Sequence, residues 1–151
     1  MNKINLQNKT KALEGRIEMY YFENQNIQLE KTLFHRIYIP LTSFNSGLEY
    51  ETQPIETMIV MDWLNLKMQN PSKLDGINLS STPDDEIEVS VYVGAAHNPC
   101  DIKKLKLKEI SNNVYEIECS LFIDFEHEAV ASNEIFEFTT QLKLNPTIKD
   151  E

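Results

Sequence analysis

Glycine is scarce in this chain, with four among 151 residues. A loop that cradles phosphate with successive backbone N–H groups needs several glycines close together, so that class of nucleotide site is excluded. No internal period of the solenoid or propeller kind occurs either. The two cysteines, Cys100 and Cys119, are too few for a four-cysteine zinc site, and no second Cys-His pair completes a mixed one. Cys119 falls in the apolar phase of its segment, where a reduced thiol packs as a small hydrophobe, so free thiols are expected. The single tryptophan, Trp63, reads as core and cannot line an aromatic sugar cleft, which argues against paired-carboxylate glycoside chemistry. The first sixteen residues are polar and no later window holds a long apolar run. A soluble, cytoplasmic chain with no membrane segment is the expectation.

Positive charge is the other shortage. Fourteen Lys and Arg face twenty-four Asp and Glu, a formal net charge of −10. Phosphate backbones are repelled by such a surface, so nucleic-acid binding is disfavoured. Between Lys108 and Lys143 there is no basic residue, and a second gap runs from Lys73 to Lys103. These gaps are either a solvated coat that keeps strand edges apart or a face for a basic partner.

What is present is alternation. In residues 114–125 Tyr115, Ile117, Cys119, Leu121, Ile123 and Phe125 occupy every second position, the period of a half-buried strand. Residues 135–144 answer with Phe136, Phe138, Leu142 and Leu144. Residues 16–39 read as a hairpin turning at residues 23–26, with His35 and Lys31 in the apolar phase and Pro40 ending the second strand. Residues 40–54 are a long connection with room for a short edge strand at 48–50. Residues 56–68 are apolar on both phases, so they form a central strand covered on both sides, a strand that switches phase through a bulge at Trp63-Leu64 beside Asp62, or a helix. A long irregular stretch precedes a short strand, residues 86–94, and residues 95–101 read as a turn. If Ser111-Asn112-Asn113 closes a hairpin with Asn113 left-handed, Leu107 faces Ile117, Leu105 faces Cys119, Lys108 faces Glu116 and Lys106 faces Glu118. The whole predicts one mainly antiparallel, all-β domain over residues 1–151, its first fourteen residues loosely held. A two-sheet β-sandwich of about seven strands with little helix fits best, and a curved sheet or open barrel comes second.

No constellation points to catalysis, a metal or a cofactor. Asp124, Glu126, His127, Glu128 and Glu134 are the densest potential ligands, but they lack the glycine turn of a calcium loop and any zinc-protease spacing. Residues 126–134 form either one helical turn or a wide loop before the last strand; on a continuing strand Asp124, Glu126 and Glu128 would share one face and His127 would continue the core phase. Asp84-Asp85-Glu86 reads as a charged start to the following strand. His97, Cys100 and Asp101 flank the expected turn, yet acidic neighbours raise a thiol's pKa and work against a nucleophile. Outward aromatics, namely Tyr20, Phe22, Phe34, Tyr38, Tyr92 and Phe122, stand among acids. They either cover a sheet face or anchor a partner. The candidate partner-binding residues are Glu116, Glu118, Phe122, Asp124, Glu126, Glu128, Glu134 and Glu137.

The closing stretch FEHEAVASNEIFEFTTQLKL, in a small acidic β domain, resembles bacterial immunity proteins encoded beside polymorphic or contact-dependent toxins. That resemblance implies a cytoplasmic inhibitor, monomeric or dimeric, that covers the basic active site of a cognate toxin such as a nuclease domain. Small-ligand or carbohydrate binding, with or without enzymatic activity, is the competing expectation.

Overall fold

A computed structural model describes residues 1–84 and 86–151. Asp85 of the acidic trio lies outside the described residues. After a four-residue helix α1 (Leu6–Lys9), the chain runs through strands β1 (Gly15–Asn24), β2 (Leu29–Pro40), β3 (Met58–Leu64), β4 (Asn78–Leu79), β5 (Glu88–Val93), β6 (Ala96–Ser111), β7 (Val114–Ile123) and β8 (Glu134–Asp150). The all-β class is as expected. The sandwich is not: the ladder order β6-β5-β3-β2-β1-β8-β7 returns to β6, closing a seven-strand barrel to which β4 adds a two-residue fringe. One pairing, β1 with β8, is parallel. The alternating apolar residues therefore face a single barrel interior, where Ile17, Met19, Ile37, Ile59, Met61, Val91, Ile117, Leu121 and Leu142 are all at most 2 % exposed.

Closure depends on one long strand. Gly94 and Ala95, at φ 70° and 57°, make a two-residue hairpin whose positive φ values match the twist of the flanking strands. Residues 96–101 are thus strand and not the expected turn, and β6 runs on for 16 residues. Its first part pairs with β5 from Ala96 to Pro99, and from Cys100 onward it pairs with β7. The change of partner falls at Pro99, which has no N–H to give a ladder and whose carbonyl accepts the Asp124 N–H at 2.9 Å.

The β6–β7 register is the one the alternation predicts, with Leu105 opposite Cys119, Lys106 opposite Glu118, Leu107 opposite Ile117 and Lys108 opposite Glu116. Asn113 sits at φ 60°. In residues 56–68 the strand reading holds: β3 switches phase at Trp63, whose φ is 59°, while β2 pairs His35 with Leu64 and Ile37 with Met61. That bulge turns Trp63 away from the core, correcting the reading of it as a core residue. No strand forms at residues 48–50. The β1–β2 hairpin runs past the covered core, so Ile27 is 68 % exposed while His35 is 2 % exposed.

The first fourteen residues are tied down, contrary to their polar composition. Ile4 and Leu6 are buried at one barrel end, and the Glu134 carboxylate accepts the N–H groups of Asn5 at 3.0 Å and Leu6 at 2.6 Å. Gln7 exchanges two amide bonds with the Glu137 backbone. Gly15, where β1 begins, is required by close approach: a Cβ there would lie 2.2 Å from the Tyr38 carbonyl oxygen.

Replacing Asn113 with valine is expected to cost about 1–2 kcal/mol, since a β-branched residue cannot relax into the left-handed region, whereas glycine there is near neutral. Urea unfolding of the two variants checks this, and equal stabilities would remove the hairpin geometry from the account.

Candidate functional site

Two features on the outside of the barrel carry chemistry, and the first grows from the bulge in β3. Asp62 points outward one residue before the phase switch. Its Oδ1 accepts from the Trp63 N–H at 2.7 Å and from the Tyr20 hydroxyl at 2.6 Å, and it lies 3.0 Å from Arg36 Nε. Arg36 also reaches Glu18 at 2.9 Å and Glu151 at 3.3 Å, and its guanidinium lies 4.4 Å from the Tyr20 ring centroid. Lys149 and Tyr38 complete the set by bonding Glu18 at 3.0 and 3.3 Å. Phe22 and Phe34 both contact Trp63 edge-on, at 4.9 and 5.4 Å between ring centroids. Four of the expected outward aromatics, Tyr20, Phe22, Phe34 and Tyr38, are thus spent on this outer cluster.

Electrostatics in the cluster are settled internally. Burial pushes the Glu18 carboxyl up, but hydrogen bonds from Lys149, Arg36 and Tyr38 outweigh it and hold the group below its ordinary value. Burial works against the Arg36 charge, yet Glu151, Asp62 and Glu18 keep it protonated more firmly than usual. Burial and then Asp62 push the Tyr20 phenol well up. Every charge here has a partner, so the cluster clamps β1, β2, β3 and the end of β8 together and leaves no group free for a substrate.

The second feature is a groove where β5 and β6 part. The two strands pair only over Ser90–Val93 against Ala96–Pro99. Beyond that point the Ile102 N–H goes to the Thr82 hydroxyl at 2.9 Å, and a depression of about 720 Å³ opens between the strands. Its floor is Val60, Ile87, Val89, Pro99 and Cys100; its polar lining is Asp62, Asp84, Glu88, Asp101, Ser90, Thr82 and His97. No lysine or arginine is among these lining residues. Glu88 and Asp101 are exposed and enter no ion pair among the described residues. The His97 ring rests against the exposed Tyr92 ring, 4.8 Å between centroids.

The expected partner-binding residues are divided by the structure. Glu116, Glu118 and Glu137 lie exposed on the outer face of β7 and β8, but the lysines of β6 run alongside. Lys104 bonds Glu118 and holds its carboxyl below the ordinary value. Phe122 is half-buried with the Lys103 ammonium 5.8 Å from its ring centroid. Asp124 caps a turn by accepting the His127 N–H at 3.1 Å, and Glu126 closes the following loop through two bonds with Asn133. Glu128 is exposed in that loop, whereas Glu134 is 6 % exposed and holds the N-terminal segment. Residues 124–130 are turn and not strand, so His127 is exposed and does not continue the core phase.

His97 and Cys100 form no nucleophile and base. They point to opposite faces of β6, and burial pushes the Cys100 thiol far up and the Cys119 thiol to about 12. Both are free and buried. Among the described residues no three His, Cys, Asp or Glu side chains gather as a metal cage. No helix is long and apolar enough to cross a membrane.

The groove residues Glu88 and Asp101 were not singled out as partner-binding from sequence. The signal was there in the second basic-free gap, from Lys73 to Lys103, which supplies every lining residue except Val60 and Asp62. No family model, no curated protein and no solved structure matches this chain.

Because Glu18 is held below its ordinary value in the fold, its stabilisation is present above about pH 4.5 and fades as the pH falls through the folded value. Glu18→Gln is expected to cost about 2–4 kcal/mol near neutral pH, the difference from wild type shrinking toward about pH 3. Urea unfolding at stepped pH checks the sign, and a difference that grows on acidification would contradict it.

Proposed function

We propose that this protein is a non-catalytic binding module that seats a basic protein partner on the groove between β5 and β6. The observation that carries this reading is the lining of the groove: carboxylates of Glu88 and Asp101 in no ion pair, with Asp84 beside them and no lysine or arginine in the wall, Asp62 at its margin being already held by Arg36. Exposed carboxylates beside an apolar floor favour a lysine or arginine side chain with its methylene stem, since the stem covers Val89 and Pro99 while the head meets the acids. The exposed Tyr92, beside His97, supplies an aromatic anchor at the rim.

A negative groove covering a positive active site is how a toxin-neutralising immunity protein acts, and the net charge of −10 draws such a partner in from a distance. Nucleic acid is disfavoured by the same charge. The β7–β8 face is less suited, because each of its glutamates at 116 and 118 has a lysine of β6 opposite it. A small cationic ligand is the second reading, favoured by the volume of the groove, about 720 Å³, and by its apolar floor.

The test is titration calorimetry of the purified chain against the product of a neighbouring toxin-like gene, or failing one a panel of basic toxin domains, at low and high salt. Glu88→Lys with Asp101→Lys is expected to weaken binding by about a hundredfold or more, while Glu116→Lys with Glu118→Lys changes it less than about threefold. Tight binding that ignores the first pair and salt alike would overturn the reading, and a small amine that binds the groove where no basic protein does would favour the second.

A further inference from the structure

His35 is the one buried histidine among the described residues. It lies on β2 at 2 % exposure, between Met19 of β1 and Leu64 of β3 in the ladder register. Its Nε2 is 2.8 Å from the Pro71 carbonyl oxygen. A carbonyl only accepts, so Nε2 carries the proton and Nδ1 presents a bare lone pair. Nδ1 has no hydrogen-bond partner among the described residues.

The segment held by that bond is weakly attached. Residues 65–71 follow the end of β3 and cover one barrel end, with Leu66 and Met68 packed on the core. Their other described hydrogen bonds stay within the turn itself, from Asn65 to Lys67 and from Asn70 to Ser72 and Lys73. His35 to Pro71 is therefore the one described hydrogen bond between residues 65–71 and the rest of the barrel. The next anchor is Tyr115, whose hydroxyl meets the Ser72 carbonyl oxygen and the Leu74 N–H. A cavity of about 120 Å³ lies beneath the segment, lined by His35, Thr32, Leu33, Asn65, Leu66, Lys67, Met68 and Pro71.

We propose that His35 is an acid-sensitive latch that holds residues 65–71 closed over the barrel end at neutral pH and releases them on protonation. Protonation puts an N–H on Nδ1 that no protein group is placed to accept, and a positive charge on a buried ring. The charged groups facing the site do not compensate. Lys67, on the segment itself, is a cation and offers no acceptor; Met19 and Leu64 are apolar; and Glu109, on β6, is engaged with the Tyr115 hydroxyl at 3.2 Å and Lys73 at 3.9 Å. Burial lowers the imidazole's pKa, opposed by the Pro71 bond. The base binds protons more readily when exposed than when closed, so acidification below about 6.5 favours the open segment. The cavity has room for water to follow the charge. Opening uncovers Leu66, Met68 and Leu33, an apolar face.

Hydrogen exchange of residues 65–72, corrected for intrinsic rates, tests the latch at about pH 7.5 and 5.5. Protection in wild type is expected to fall severalfold, up to about tenfold, at the lower pH. In His35→Gln, whose amide keeps a donor for Pro71 but does not titrate, protection is expected to stay constant. Constant protection in wild type, or an equal fall in the variant, overturns the proposal. Should the variant fail to fold, the wild-type ring carries the test by NMR: the imidazole midpoint must coincide with the loss of protection, and a ring that titrates while the segment stays protected overturns it too.

Discussion

The structure depends on the closure of one sheet, and closure depends on β6 serving two neighbours in succession. A sheet with a free margin offers unpaired N–H and C=O groups to other chains; a closed one does not. Here the margin is removed by passing a single 16-residue strand from β5 to β7, and by passing the 17-residue β8 from β7 to β1. Both transfers are possible because long strands twist and can leave one ladder as they enter another. The transfer on β6 has a cost in coverage. Where β6 leaves β5, the first residues of β5 lose a neighbour, and the groove lined by Glu88 and Asp101 is the space that results.

Acidic side chains then fall into two kinds. Glu18, Asp62, Glu126 and Glu134 are consumed by the fold: they receive backbone N–H groups, a guanidinium, an ammonium or a phenol, and they fix strands, a loop or the N-terminal segment in place. Glu88, Asp101, Glu116, Glu128 and Glu137 are left outside. Only the first two of these stand over an apolar floor in a concave wall without lysine. Exposed carboxylates on a convex face give steering and solubility; carboxylates in a hollow can also exchange water for a cation's N–H groups.

Much of the local order was legible in the chain. The alternation in residues 104–121 carried both faces of the β6–β7 hairpin, because a slip of one residue would have put Leu105 and Cys119 in water and lysines in the core. The double-phase pattern at Trp63-Leu64 was compatible with a bulge, a strand covered on both sides or a helix, and the structure shows the bulge. Period-two patterning says that one face is covered without saying by what, and for that reason a sandwich and a closed barrel read alike. Pro99 looked like part of a turn because prolines leave ladders, and here it marks a strand changing partner. Glu134 looked like surface because its partners, the N–H groups of Asn5 and Leu6, are 128 and 129 residues away in sequence. His127 would have continued the core phase only on a longer strand; the strand ends at Ile123, and the turn that the composition of residues 126–134 allowed takes over there.

The central claim, that a cation is seated where β5 and β6 part, is tested most directly by mapping where one binds. Titrating the isotope-labelled chain with a short arginine-rich peptide should move the amide resonances of residues 82–84, 88–90 and 97–101 first, and high salt should reverse the shifts. Shifts centred on residues 116–118 and 137–141, or spread evenly over the barrel, would contradict it.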